Sequence, residues 1–269
     1  MKRLLAGLAA GLALLAPAMA VQAQESRMAR GGGMRGGPGG IGQRGYANPS
    51  AAIAAEIAFA RLVRDKGRWA AFRATAAPDA VMFVPAMVLA QQWLKGRTDP
   101  AAPLAWQPHR VWSSCDGTLM VTTGAWQDSG GQGTGGQDTE DRQGRFTTIW
   151  QRQSDGGYKW VFIHRDVAKG PLPEPEMIPA RVADCPDRRP GERPAGLPGR
   201  SGSPKKPGAP GLKELLAAFD PAARQGRSQD GTLVWQVTAD AAGMRDFSAK
   251  LMTGGQMQEI GKEPVAAGS

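Results

Sequence analysis

The chain carries two imidazoles, His109 and His164, and the second lies in the alternating run Tyr158 to Val167. Side chains alternate across a strand, so this run is read with Trp160, Phe162, His164 and Asp166 on one face. Lys159, Val161, Ile163 and Arg165 take the other. An aromatic wall ending in an imidazole and a carboxylate has the makings of general acid–base chemistry, because such a pair can move a proton near neutral pH. His109 lies on an earlier strand and could join them. Asp79 opens the first strand, and Arg73 could pair with either carboxylate. The candidate catalytic set is therefore Asp79, His109, His164 and Asp166. The plainer reading is a hydrogen-bonded histidine and an aspartate closing a strand end, and it is favoured because no short motif ties these residues together. The spacing of His109, His164 and Asp166 carries no metal-ligand signature. Cys115 has no base beside it, Ser113-Ser114 lacks a nucleophile elbow, and Gly31 to Gly45 lacks both a preceding strand and a terminal Lys-Ser/Thr. No cofactor and no metal are expected.

Helices come first and strands follow. Asn48-Pro49-Ser50 reads as a helix start, with Asn48 or Ser50 as cap and Pro49 in the first turn. Ile53, Ile57, Ala60, Leu62 and Val63 keep helical spacing up to Gly67. A shorter helix carries Trp69, Phe72 and Arg73. Asp79 to Pro85 reads as a strand and Val88 to Leu94 as a third helix. Strands are then expected over Leu104 to Ser113, Thr118 to Trp126, Gly144 to Gln153 and Tyr158 to Val167, with Asp116-Gly117 as a tight turn. Helices followed by a run of strands predict an α+β domain, with helices packed on one face of a strongly curved antiparallel sheet.

The flanking segments differ in composition. Residues 1–23 have a basic start, an apolar stretch from Leu4 to Ala16 and small-residue cleavage sites at Ala20 and Ala23. This is the layout of a signal peptide, so a periplasmic or secreted location is expected. Loss of Lys2 and Arg3 would lower the net charge from +9 to +7. In an exported chain that charge meets anionic envelope surface, weakly, and nucleic acid is not an expected partner. Residues 24–47 are a Gly/Arg-rich tether, 48–170 the folded domain, 171–211 a Pro/Gly/Arg-rich linker, and 212–269 a short helix plus a β-hairpin. A lone hairpin is marginally stable in water, so this extension should dock on the domain or on a partner. The Gly-rich stretch from Asp128 to Asp141 reads as a hairpin loop. Cys115 and Cys185 are the two cysteines, and an even count in an oxidising compartment predicts that they pair.

Several words in order carry a family resemblance: Ala58-Phe59-Ala60, Gly67-Arg68-Trp69-Ala70-Ala71-Phe72, Pro78 to Phe83, Leu104 to Pro108, Thr122 to Trp126, then Gly144-Arg145-Phe146 with Ile149 to Gln153, Asp155-Gly156 and Trp160. The region from about residue 51 to 168 resembles the nuclear transport factor 2-like superfamily, also called ketosteroid-isomerase-like or SnoaL-like, in an exported bacterial branch of unknown function. The resemblance implies a cone in which helices close over the curved sheet and leave a pocket. Trp106, Trp126, Trp150, Trp160 and Phe162 would line it as ligand-binding residues, with Asp79 beside it, although burial habit favours Trp69, Trp106, Trp126 and Trp150 as core. Isomerase chemistry in this fold needs a donor to the developing oxyanion, often a tyrosine. The two tyrosines are Tyr46 in the tether and Tyr158 at a turn. The expected function is thus an exported, non-catalytic binding protein with a small apolar ligand or a partner surface, a homodimer being one such partnership. The alternative is an acid–base enzyme of the same fold, an isomerase, hydrolyase or cyclase.

Overall fold

The computed structural model describes residues 47–100, 104–128, 142–170, 172–185, 211–240 and 244–265. The expected signal peptide, the tether, the Gly-rich loop and most of the Pro-rich linker lie outside these residues. All described residues belong to one compact unit. The Asn48 side chain accepts from the Ser50 amide at 3.2 Å and starts α1 (Pro49–Lys66), which stops at Gly67. α2 (Arg68–Thr75) follows at once. β1 (Ala76–Phe83) begins three residues before Asp79. The third helix is shorter than expected: Val88 belongs to β2 (Met87–Leu89), and α3 is the single turn Ala90–Trp93.

The main sheet contains these two strands and β3 (Leu104–Ser113), β4 (Leu119–Asp128), β5 (Arg142–Arg152), β6 (Tyr158–Val167) and β7 (Ala180–Val182), in the order β2-β1-β6-β5-β4-β3-β7. It is mixed rather than wholly antiparallel, because β1 runs parallel to β6 and β7 parallel to β3. β7 lies in the stretch read as linker. Three residues among prolines carry no strand pattern of their own, and the pairing is imposed by the neighbouring edge. α1 and α2 pack on the inner face of this sheet, giving the α+β arrangement.

Two β-bulges decide which side chains share a face. In β6, Trp160 pairs with Trp150 and Phe162 with Ile149, which leaves Val161 as the extra residue. The alternation therefore breaks in the middle of the strand. Trp160 turns to the helices, packing on Phe72 and donating its indole N–H to Thr75 Oγ1 at 3.0 Å. Phe162 and His164 turn to the opposite, outer face. The common face expected for Trp160, Phe162, His164 and Asp166 does not exist, because one inserted residue inverts the period-two pattern. In β3, the extra residue is His109, between Pro108 and Arg110. Opposite it, a Cβ on Gly124 would lie 2.0 Å from the Gln107 carbonyl oxygen, so glycine alone permits the approach.

The C-terminal region is a four-stranded antiparallel sheet rather than a hairpin, after a short helix α4 (Leu212–Ala218). Its strands are β8 (Ala223–Arg227), β9 (Leu233–Ala239), β10 (Arg245–Thr253) and β11 (Gln256–Val265). β8 and β11 escaped the sequence reading because neither alternates apolar with polar residues. This sheet covers the outer face of the main one. Phe247 stacks on Phe162 at 5.4 Å with ring planes 5° apart, and Trp235 lies 5.1 Å from Phe162. Leu233, Trp235, Val237, Phe247, Ala249 and Leu251 are buried at this junction in the same core as the main sheet.

A repeated turn fastens the two sheets. Ser114-Cys115-Asp116-Gly117-Thr118-Leu119 joins β3 to β4, and Ser228-Gln229-Asp230-Gly231-Thr232-Leu233 joins β8 to β9. In each turn one aspartate oxygen accepts from the serine hydroxyl and from the amide and hydroxyl of the threonine, at 2.6–3.0 Å. Gly117 and Gly231 both take a positive φ, 67° and 72°. The second aspartate oxygens are then exchanged. The Asp116 amide donates to Asp230 at 2.8 Å, and the Asp230 amide donates to Asp116 at 2.9 Å. Cys115 N–H donates to Thr232 Oγ1 and Gln229 N–H to Thr118 Oγ1, which completes a pseudo-twofold clasp. Beside it, Cys115 and Cys185 form the expected disulfide across 70 residues. Closing a loop of that length is worth about 4 kcal/mol in the chain-entropy model. The bridged segment ties both sheets, since Ala183 N–H donates to Ser113 and Asp184 N–H to Met252.

Each clasp aspartate accepts four hydrogen bonds, so we expect Asp230→Ala to cost about 2–3 kcal/mol. The Asp116→Ala, Asp230→Ala pair should cost clearly less than the sum, because the first change already breaks the reciprocal contact. Urea unfolding of the three variants measures this, and strict additivity would contradict the clasp.

Candidate functional site

The inside of the cone is filled by its own side chains. α1 buries Ala52, Glu56, Phe59 and Val63, one face of the helix, while Ile57 is 50% exposed. The stripe expected from Ile53 and Ile57 is thus rotated toward Glu56. The carboxylate of Glu56 is fully buried. Its Oε2 accepts from Trp106 Nε1 at 2.8 Å, and its Oε1 accepts from Trp150 Nε1 at 2.9 Å and from Thr122 Oγ1. Three donors from β3, β4 and β5 converge on one residue of α1. Burial pushes the Glu56 carboxyl up, against the downward pull of these hydrogen bonds. Phe59 packs edge-on against Trp106 and Trp150, and Phe72 against Trp106 and Trp160. A space of about 10 Å³ remains beside Phe72, Trp106, Trp126 and Phe146, room for a single water and no more. Trp106, Trp150 and Trp160, expected as pocket walls, are packing residues, and two of them are Glu56 ligands.

At the open end of the cone lies a cavity of about 190 Å³, bounded by Trp69, Phe83, Trp126, Arg142, Arg165 and Arg245 among others. His164 reaches it from the junction between the sheets, where its ring lies 5.3 Å from Phe162 and 5.2 Å from Phe247. Burial and, second, the Arg245 charge push His164 down to about 3, so the imidazole is neutral at physiological pH. Phe162 lies under Phe247 and Trp235, away from the cone. Trp126 donates its indole N–H to the Asp166 carbonyl at 2.9 Å, and Arg165 lies over its ring at 4.8 Å.

The third space is a groove of about 430 Å³ on the outer face. Its floor is Trp112, Val121, Thr123 and Thr147 of the main sheet. The segment from Leu172 to Pro179 forms one wall, and Phe247, Ala249 and Ile260 form the other. Both His109 and Ile260 are bulge residues, and both face it. Burial lowers the His109 imidazole pKa, against the charge of Glu174. His109 Nε2 and Thr147 Oγ1 are buried and have no hydrogen-bond partner.

The four candidate catalytic residues are not assembled. His109 lines the groove and His164 the junction. Asp79 is paired with Arg224 of β8 at 2.6 Å, and the Asp166 side chain accepts from the Arg145 amide at 2.7 Å. Arg73, offered as a carboxylate partner, donates to the Leu94 carbonyl instead. Among the described residues no three His, Cys, Asp or Glu side chains are grouped as metal ligands, and no helix is long and apolar enough to cross a membrane. Glu56 was missed, although a lone glutamate four residues after Ala52 and three before Phe59 is a readable sign of a polar group on a buried stripe.

Several solved structures are similar to part of the chain. A nuclear transport factor 2-like superfamily protein from Salmonella enterica serovar Typhimurium matches 47% of this chain and 96% of its own length, at 15% identity and a TM-score of 0.37. A putative ketosteroid isomerase from Parabacteroides distasonis matches 47% and 98%, at 16% identity and a TM-score of 0.33. The CaMKII hub of S. rosetta matches 45% and 98%, at 18% identity and a TM-score of 0.34. No protein-family model and no curated protein sequence matches the chain.

Two pH dependences of opposite sign follow. Glu56 holds its proton more tightly when folded, so its contribution is complete below about pH 4.5 and is lost as pH rises through the raised pKa. Glu56→Gln should remove that loss, and the variant should gain on wild type between pH 4 and pH 8. His164 resists protonation when folded, so its contribution is present above pH 6.5 and is lost as pH falls toward about 3. His164→Phe should flatten that acid limb. Denaturant unfolding across the pH range measures both, and unchanged slopes would contradict the two assignments.

Proposed function

We propose that the protein is an exported binding protein that holds a small, largely apolar ligand without turning it over, and that the ligand site is the groove between the two sheets. One observation carries this reading. The closed end of the cone keeps about 10 Å³ and its open end about 190 Å³, whereas the groove offers about 430 Å³, within the roughly 300–1,000 Å³ typical of ligand pockets. Sites at the junction of two folded layers are common, because neither layer fills the space alone. Binding is favoured over catalysis by the dispersal of the acid–base candidates. His164 shares its cavity with arginines rather than with a carboxylate. Asp79 and Asp166 already serve as structural acceptors. Export is supported by the signal-like start and by the paired cysteines, since disulfides persist in oxidising compartments.

The test is native mass spectrometry of the full chain isolated from the cell envelope. The expected result is one ligand per chain, released chemically unchanged after prolonged incubation and absent from an Ile260→Trp variant that fills the groove. A ligand retained in full by Ile260→Trp would move the site elsewhere. A ligand converted by wild type but not by His109→Ala would replace the binding reading with the enzyme reading.

A further inference from the structure

The outer face of the main sheet is graded in polarity along the groove. Strand pairing sets Arg110, Thr123, Thr147 and His164 side by side as one row across β3, β4, β5 and β6. Two residues along, the row is Trp112, Val121, Ile149 and Phe162, wholly apolar. On the other side, Arg145 stands on β5, two strands and two residues from Arg110. Strand spacing puts their Cα atoms roughly 12 Å apart, a separation that one bound anion can bridge when both long side chains turn toward it; without one, the Arg110 guanidinium rests 5.6 Å from the Trp112 ring. Both arginines belong to the groove lining, and neither has an ion-pair partner among the described residues. Thr147 is 1% exposed, and its hydroxyl is unpartnered at this same end, as is His109 Nε2. Buried polar atoms left without partners cost about 1–3 kcal/mol each, so a bound group that supplies hydrogen bonds to these two gains affinity from them. The apolar part of the lining is Trp112, against whose ring the Arg110 guanidinium lies at 5.6 Å, with Phe247 and Ile260.

We propose that the groove takes an amphipathic anion. A carboxylate or phosphate head sits between Arg110 and Arg145 and hydrogen-bonds to Thr147 and His109, and an acyl or aryl body lies along Trp112, Phe247 and Ile260. This rests on the reading of the groove as the ligand site and adds the chemical class. Guanidinium groups prefer planar oxyanions, and charge-assisted hydrogen bonds are about twice as strong as neutral ones, which sets the preference for an acid over the matching alcohol.

Isothermal titration of the full chain with dodecanoate, dodecyl phosphate, dodecanol and dodecyltrimethylammonium tests it. Dodecanoate or dodecyl phosphate should bind about tenfold or more tighter than dodecanol, and the ammonium compound should bind weakest. The stronger of the two anions identifies the head group. Arg110→Gln with Arg145→Gln, both exposed positions, should abolish the preference for the anion and leave dodecanol unchanged. Thr147→Val should weaken anion binding without lowering the stability of the ligand-free protein. Ile260→Trp should block every probe. If acid and alcohol bind alike and the arginine variants change nothing while Ile260→Trp still blocks, the anion class is wrong and the groove stands. If Ile260→Trp leaves binding intact, the groove itself is wrong. Absence of saturable binding by all four probes overturns the proposal.

Discussion

A curved sheet has two faces, and in this protein both are too apolar to meet water. The inner face is closed by α1 and α2. The outer face carries Trp112, Val121, Ile149 and Phe162, and the chain closes it with its own C-terminal sheet. The stack of Phe247 on Phe162 supplies the burial, and the exchanged hydrogen bonds of Asp116 and Asp230 supply the register. Burial is non-directional and would tolerate sliding, whereas a reciprocal pair of charge-assisted bonds has one solution. The groove is lined by residues of both sheets, Phe247 among them, and by the segment from Leu172 to Pro179.

Glu56 accounts for the closed cone. A carboxylate in an apolar interior must find donors, and three arrive from three strands. Once two indole rings turn inward to reach it, they occupy the volume that a ligand would use. The same residue that locks α1 onto the sheet therefore helps to fill the interior around it, where a space of about 10 Å³ remains. The site we propose lies instead on the outer face, which a bare cone would leave to solvent or to a partner.

Much of this order was readable in the residues. The cap at Asn48, the stop at Gly67, the bounds of β3 and β6 and the cysteine pair all follow from local rules that tertiary contacts did not override. What escaped depends on pairing. The bulge at Val161 inverts half a strand and separates Trp160 from Phe162 and His164, yet it leaves no mark in composition. β8 and β11 hold polar edges, so their strands are defined by their neighbours. The repeat Ser-x-Asp-Gly-Thr-Leu was present twice in plain letters, and its meaning appears only when the two turns face each other. His109 was singled out for its chemistry, but its position in the groove comes from a one-residue insertion opposite Gly124.

The central claim is that ligand enters between the sheets and not into the cone, and the eight tryptophans report on it directly. Trp112 lines the groove, whereas the indole N–H groups of Trp106 and Trp150 are bound to Glu56 and that of Trp126 to the Asp166 carbonyl. A nitrogen–proton NMR titration of the full chain with dodecanoate, with indole signals assigned by single Trp→Phe variants, separates the two places. The account predicts a saturable shift of the Trp112 indole signal, with those of Trp106, Trp126 and Trp150 unmoved. Shifts of Trp106 and Trp150 with Trp112 unmoved would put the ligand in the cone and contradict it.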